Sequence, residues 1–545
     1  MTALALPGTA RTGGSRQLAG TGALLRLALR RDRVMLPAWV LIVGGVVATG
    51  SGALKTLYGT AAERAELARS MTANSSLRSL YGPVFSDSVG GLVAWRYGVF
   101  GAALAGVMSM LVVIRHTREE EETGRQELLS SAMVGRRAPL TAALLAALVA
   151  NVAMALVVTA GLAGEGAAGA LAFGLSIGAC GMLFATTAAI AAQLTESARL
   201  ARGLTTAVVG LAFVLHAAGD AATDDGSSVL TWLSPVGWTE NVRAFASTGT
   251  VVGGSGERWW VLLLFVAATA VQGVAAYTLA GRRDVGMSFL PTRPGPAAGR
   301  MGTAGALAVR LQRGTLLGWC LGFLVSGAVF GGMTEGAADL VGDNEQAREI
   351  FQRLGGQSGL TQAFLAGMVG VLGMVAALYG VASVLRLNGE ESAGRAEPIL
   401  ANAVGRVRWA AGHLVVAYGG AALVVLLGSA GLALGYGHRA PELLGAGLVQ
   451  LPAVWTLTGV TLLLYAVAPR AATAGWAVAG VCLAIGWIGP ALDLPQPVMD
   501  LSPFTHLPKL PGPPVQWFPV VLLTVVAAAL AAASLAALRR RDLAT

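Results

Sequence analysis

Lysine is nearly missing: of the 38 basic residues only Lys55 and Lys509 are lysines, and the rest are arginines. A phosphate-cradling Walker A loop needs Gly-Lys-Ser/Thr, because its lysine reaches the β and γ phosphates. Leu54 precedes Lys55 and Pro508 precedes Lys509, so this chain carries no nucleotide-binding loop of that kind. Cysteine is as scarce. Cys180, Cys320 and Cys482 all lie in apolar runs, which excludes a disulfide framework or a zinc-thiolate site and leaves them as small packing residues. No HExxH signature occurs either. Charge is low throughout, at 12% of 545 residues, about half of the ~25% found in soluble domains. With 55% hydrophobic residues and 74 glycines besides, such a chain cannot cover itself with polar surface. A soluble enzyme is excluded, and the composition reads as an all-α polytopic membrane protein. Its Ala, Gly and Arg load points to a GC-rich, bacterial genome.

What is present in quantity is long apolar runs. Crossing ~30 Å of hydrocarbon takes about 20 residues. Twelve stretches qualify: roughly 34–53, 90–114, 139–163, 166–193, 203–219, 258–281, 315–333, 361–386, 409–436, 441–468, 472–492 and 515–538. Residues 1–33 hold six arginines and no uninterrupted apolar core, so they read as an amphipathic cytoplasmic segment and not as a cleavable signal. If that end is inside, the inward segments hold 27 of the 38 basic residues. The net charge of +9 is then a topology signal that calls for no nucleic-acid partner. The expectation is a multi-pass protein of the bacterial plasma (inner) membrane with both termini cytoplasmic.

The organisation is doubled. Gly22–Trp39 aligns with Gly302–Trp319 at seven of 18 positions, including Arg30/Arg310, Arg33/Arg313 and Trp39/Trp319. Glu120–Arg136 aligns with Glu390–Arg406 at eight of 17, and Leu233-Ser234-Pro235 is echoed by Leu501-Ser502-Pro503. A Pro/Gly-bearing linker, 282–313, separates a first half (34–281) from a second (314–545), each of six spans. Six is even, so both halves enter the membrane the same way, as pseudo-symmetric parallel repeats. That arrangement creates a seam in which a transport path can open.

The repeated hairpin between the second and third spans of each half carries the most information. One copy is TREEEETGRQELLSSAMVGR and the other LNGEESAGRAEPILANAVGR. Glu121–Arg125 and Glu391–Arg395 stand at i, i+4, in the order that supports a short helix. Gly135 and Gly405 stand where that helix would stop, followed by Arg136 and Arg406. The positive-inside rule accounts for the arginines but not for the repeated acids. A surface helix offered to a soluble partner accounts for both.

This motif, E-E-x-x-G-R-x-E followed by V-G-R in each of two six-span halves, resembles the permease subunits of ABC exporters of the polyketide-antibiotic (tetronasin-type) family. The resemblance covers the whole architecture, while motif-level similarity is confined to the hairpins and the segments before the first span of each half. It implies that the hairpins are coupling helices docking on ATP-hydrolysing subunits. Glu120, Glu121, Gly124, Arg125, Glu127, Gly135 and Arg136 would form one docking element, and Glu390, Glu391, Gly394, Arg395, Glu397, Gly405 and Arg406 the other. Pro398 in place of Leu128, and Gly389 in place of Glu119, would make the two docking sites unequal. Two such elements imply two copies of a cytoplasmic ATPase, which would bind the ATP and Mg that this chain does not.

Two other function classes stay in view. A proton-coupled antiporter needs titratable groups within the bilayer. No span has a carboxylate near its centre, and His216 and His413, at non-equivalent positions, are the remaining candidates. A membrane enzyme would need a cluster such as Asp220, Asp224 and Asp225, which reads as a solvated acidic loop. Among the loops beyond the membrane, Ala61–Ser70 and Asn344–Leu354 look helical, and the Leu-Ser-Pro segments look partly re-entrant, with Trp232 and Trp238 at the interface. Gly174/Gly178, Gly431/Gly435 and Gly367, Gly370, Gly373 and Gly380 mark close helix packing. Few charges along the spans favour a hydrophobic or amphipathic cargo.

Overall fold

The computed structural model describes residues 17–130, 134–249, 256–290, 302–334, 359–402, 404–489, 495–512 and 514–542. Among these residues every regular element is helical, and eleven helices are long and apolar enough to cross a bilayer. The chain is an all-α, multi-pass membrane protein. It divides into two compact units, Met1–Pro294 and Gly295–Thr545.

In the first unit, α1 (Thr21–Arg31) precedes α2 (Met35–Leu57), which contains a π turn at Val40–Gly44. Two short helices, α3 (Ala61–Ala73) and α4 (Ser75–Tyr81), lead to α5 (Val89–Arg115). The hairpin forms α6 (Arg118–Glu122) and α7 (Arg125–Ser130). Then come α8 (Ala138–Leu162), α9 (Ala167–Leu194), α10 (Ala198–Ala222), short α11 (Val229–Leu233) and α12 (Pro235–Asn241), and α13 (Trp260–Arg282). The second unit runs α14 (Ala304–Gly332), α15 (Leu360–Ser392), α16 (Glu397–Leu400), α17 (Arg406–Tyr436), α18 (Ala440–Val467), α19 (Ala474–Ile488), α20 (Gln496–Met499) and α21 (Trp517–Arg540).

Eleven of the twelve expected spans are helices of spanning length, and the differences have local causes. At 472–492 the helix α19 is only 15 residues long, and residues 490–494 lie outside the described residues. The helical stretch expected at 344–354 also lies outside them. The segment before the first span is a separate helix in the first unit, whereas in the second it is continuous with the span in α14. Pro37 explains the break: it has no N–H to give the carbonyl of Arg33, and Leu317 stands at the aligned position. The fifth span is longer than expected because α10 continues through Asp220, which is fully buried.

Small residues bring the helices into backbone contact. In α14 and α17, a Cβ at Gly431 would lie 2.1 Å from the Leu324 carbonyl, and one at Gly435 2.0 Å from that of Ala328. Gly174 faces the Ala155 carbonyl at 2.5 Å in the same way, across α8 and α9. With no hydrophobic drive between helices in lipid, such close approach is what holds the spans together. All three cysteines are buried and free.

Candidate functional site

The acidic doublets of the two hairpins begin where a long membrane helix ends. Glu390 and Glu391 belong to the last turn of α15; Glu120 and Glu121 lie in α6, just past the end of α5. Neither hairpin forms the single short helix expected from the Glu–Arg spacing. Gly124 and Gly394 take left-handed φ values of +72° and +69°, which break the helix and turn the following arginine back. The ion pair therefore skips a residue: Arg125 Nε reaches Glu120 Oε2 at 3.1 Å, and Arg395 Nε reaches Glu390 Oε2 at 2.7 Å. The expected i, i+4 pairing is corrected by that turn.

The first glutamate of each doublet receives a second arginine. Arg31 from α1 pairs with Glu120, and Arg386 Nη2 lies 2.5 Å from Glu390 Oε1. The second glutamate is clamped from further away. Arg283, just past α13, donates to Glu121 Oε2 and Oε1 at 2.8 and 2.7 Å, and Arg118 donates to Oε2 at 2.9 Å. Arg541, just past α21, donates to Glu391 Oε1 at 2.6 Å, and the Tyr465 hydroxyl also bonds this carboxylate. The V-G-R arginine then closes each latch. Arg136 donates to the carbonyl of Arg283 at 2.8 Å, and Arg406 donates to that of Arg541. Gly135 and Gly405 lead into the next span instead of ending the hairpin helix. Gly135 N–H bonds Ala19, and Gly405 is the N-cap of α17.

The repeated motif thus divides by role. Glu120, Glu390 and Glu391 are buried, and Glu121 is nearly so, facing their own unit. Arg125, Glu127, Leu128, Arg395, Glu397 and Pro398 are exposed. The doublets tie each hairpin to the end of the last span of its half; the exposed ridge is what a soluble protein could touch. Arg283 and Arg541, essential to the latch, read in the sequence only as positive-inside charges. Their sole signal is that arginines follow the final span of both halves.

Asp220, expected with Asp224 and Asp225 in a solvated acidic loop, instead belongs to a buried constellation. Asp220 and His216 are fully buried one turn apart on α10, and Glu240 on α12 joins them, its side chain 8% exposed. His216 Nδ1 lies 2.6 Å from Asp220 Oδ2 and 3.5 Å from Glu240 Oε2. Asp224 is exposed and takes no part. Burial and the neighbouring Asp220 carboxylate hold the Glu240 carboxyl well above its ordinary range. The cluster was missed because Glu240 lies 20 residues beyond Asp220 and only the fold of α11 and α12 brings it back. The repeated serines position those returning segments. Ser234 Oγ donates to the Ala212 carbonyl and caps α12, and Ser502 Oγ donates to the Cys482 carbonyl at 3.0 Å.

In the second unit a cavity of about 240 Å³ is lined by Gly367, Gly370, Met374, Trp487, Phe504 and Lys509 among others, with Lys509 the one charged side chain among the described residues. Its wall mixes Met374, Trp487 and Phe504 with Gln450, Gln496 and Lys509.

Comparison with known proteins agrees across nearly the full length. The family model for the C-terminal domain of the multidrug efflux system permease Rv1217c matches residues 301–539. The chain is 43% identical over 540 residues to the multidrug efflux system permease protein Rv1217c of Mycobacterium tuberculosis (strain ATCC 25618 / H37Rv), covering 96% of this chain and 95% of that protein.

Proposed function

The chain belongs to the multidrug efflux system permease family, and from that membership we propose that it moves hydrophobic or amphipathic, drug-like compounds out across the plasma membrane as the permease subunit of an ABC exporter. The narrower assignment, to exporters of the polyketide-antibiotic kind, is part of this proposal. Hydrolysis occurs on two separate cytoplasmic ATPase subunits, one seated on each hairpin ridge, and both termini lie on that same side.

The observation that carries the reading is the duplicated latch. A partner that pushes on a hairpin does work on the cargo path only if the hairpin is mechanically joined to spans. Glu121–Arg283 and Glu391–Arg541 supply such a joint in each unit, while Glu127 and Glu397 stay exposed. The need for an external engine is supported by the two lysines, neither of which follows a glycine. The 240 Å³ cavity, with Trp487 and Phe504 beside Gln450 and Lys509, supports an amphipathic cargo.

The test combines Glu127→Lys with Glu397→Lys in the full chain, expressed in cells together with the proposed cytoplasmic ATPase. Dye export from cells and ATPase co-purification are both expected to be lost, while the amount of membrane-inserted permease is unchanged. If both survive, the ridges are not docking sites. If export instead stops when the pH gradient is dissipated at constant ATP, the transport is proton-coupled and the reading falls.

A further inference from the structure

The buried group His216, Asp220 and Glu240 is not needed for docking or for the latches. It lies at the opposite end of the first unit: α10 begins at Ala198, whose N–H bonds the hairpin residue Glu122, and Asp220 is about 33 Å further along that helix. One imidazole nitrogen and one oxygen from each carboxylate all lie within 4.8 Å of one another.

These atoms are unsatisfied in a specific way. His216 Nδ1 and Nε2, Asp220 Oδ2 and both Glu240 oxygens are buried without a hydrogen-bond partner. The 2.6 Å approach of Nδ1 to Oδ2 therefore does not have hydrogen-bond geometry. Among the described residues no Lys or Arg nitrogen comes within ion-pairing distance of either carboxylate. Arg78, close by, spends its Nε and Nη2 on the carbonyls of Asp220 and Ala221. Two carboxyls and a histidine buried this close together must shed charge, by keeping a proton among them or by taking up a cation.

The surroundings are built to hold the three groups in place. Thr231 donates to Asp220 Oδ1 at 2.7 Å and leaves Oδ2 turned toward His216. Gly82 packs against the Glu240 carboxylate so closely that a Cβ there would lie 2.0 Å from Oε2, and its carbonyl accepts from Trp95 Nε1 at 2.8 Å. Glu240 also lines a cavity of about 30 Å³ with Ser86, Thr239 and Arg243, room for one water as a further ligand.

From this arrangement we infer that His216, Asp220 and Glu240 bind a divalent transition-metal ion of the zinc class. His and Asp at i, i+4 on one helix plus a carboxylate from a neighbouring element is a ligand set for such an ion, with water completing four-coordination. The ion staples α12 to the end of α10 and so fixes the returning segment 229–241 against the spans. Thr231 acts as the outer partner that orients Asp220. This inference does not depend on ATP coupling.

The experiment uses the full chain in detergent, its affinity tag removed, stripped with chelator and titrated separately with zinc, cobalt and magnesium. About one zinc per chain is expected, with a rise in thermal unfolding temperature and visible d–d bands for cobalt. Asp220→Asn and Glu240→Gln, nearly isosteric, each abolish the stoichiometric ion and the thermal shift, and Thr231→Val weakens affinity roughly 10-fold or more. Retention of less than about a tenth of an equivalent of any of the three metals, with no thermal shift, overturns the proposal. So does unchanged binding in both carboxamide variants, which would mark an adventitious ion only. A Glu240 carboxyl band that stays protonated in saturating zinc also overturns it and identifies a proton site.

Discussion

Replacing Glu391 with glutamine keeps the shape of the second latch and removes its charge. Glu391 is 6% exposed and faces Arg541, whose side chain is 16% exposed. Leaving one member of a buried ion pair without its partner costs about 3–5 kcal/mol. Arg541 keeps some water and a bond from Nη1 to the Tyr465 carbonyl at 2.8 Å, which brings the cost below that range, to about 2–3 kcal/mol. That is roughly a 30- to 150-fold change in the unfolding constant. Chemical denaturation in detergent measures it, and the set Glu391→Gln, Arg541→Gln and the double variant isolates the pairwise part. A coupling below about 0.5 kcal/mol would refute the latch as an energetic joint. The first unit provides an internal control. Glu121→Gln removes the carboxylate shared by Arg118 and Arg283, whose side chains are 1% and 7% exposed; both keep bonds to Met287 and to Ala192 or Gln193, so its loss should be comparable to that of Glu391→Gln.

Three other outcomes follow from the packing. Gly431→Val should destabilise the second unit by about 3 kcal/mol or more, read by denaturation in detergent, because its Cβ meets a carbonyl at 2.1 Å; Gly419→Ala, which meets nothing within 4 Å, should be neutral or slightly stabilising. Ser234→Ala should cost about 1–2 kcal/mol, since the hydroxyl both caps α12 and bonds α10. Ser502→Ala, which loses one bond to Cys482, should cost about 1 kcal/mol in the same denaturation assay. Gly124→Ala and Gly394→Ala should each cost about 1–2 kcal/mol through the left-handed turn, whereas Gly124→Asn should cost clearly less; equal losses for Ala and Asn would show that the turn is not the cause.

Much of the membrane architecture was legible because it is local. Lipid forces every backbone group to be satisfied within its own segment, so apolar run length maps onto helix length. All of the spans but the one at 472–492 appear as helices of spanning length. The hairpins were legible as repeated motifs, but not which of their acids stay exposed. The inward aim of Glu120, Glu121, Glu390 and Glu391 was not. Spacing on an ideal helix assigns Glu121 to Arg125, but a positive φ at Gly124 hands Arg125 to Glu120 and frees Glu121 for an arginine 162 residues away.

By itself the sequence determined that this chain lives in a bilayer, repeats a hairpin motif and lacks a Gly-Lys-Ser/Thr loop, since composition, periodicity and a missing lysine act without regard to distant neighbours. Only the tertiary structure decided which charges face each other. Ion pairs and ligand sets such as Glu391 with Arg541, or His216 with Asp220 and Glu240, depend on where separate helices end in space. Low dielectric rewards those meetings steeply with distance, and residue order along the chain does not encode that distance.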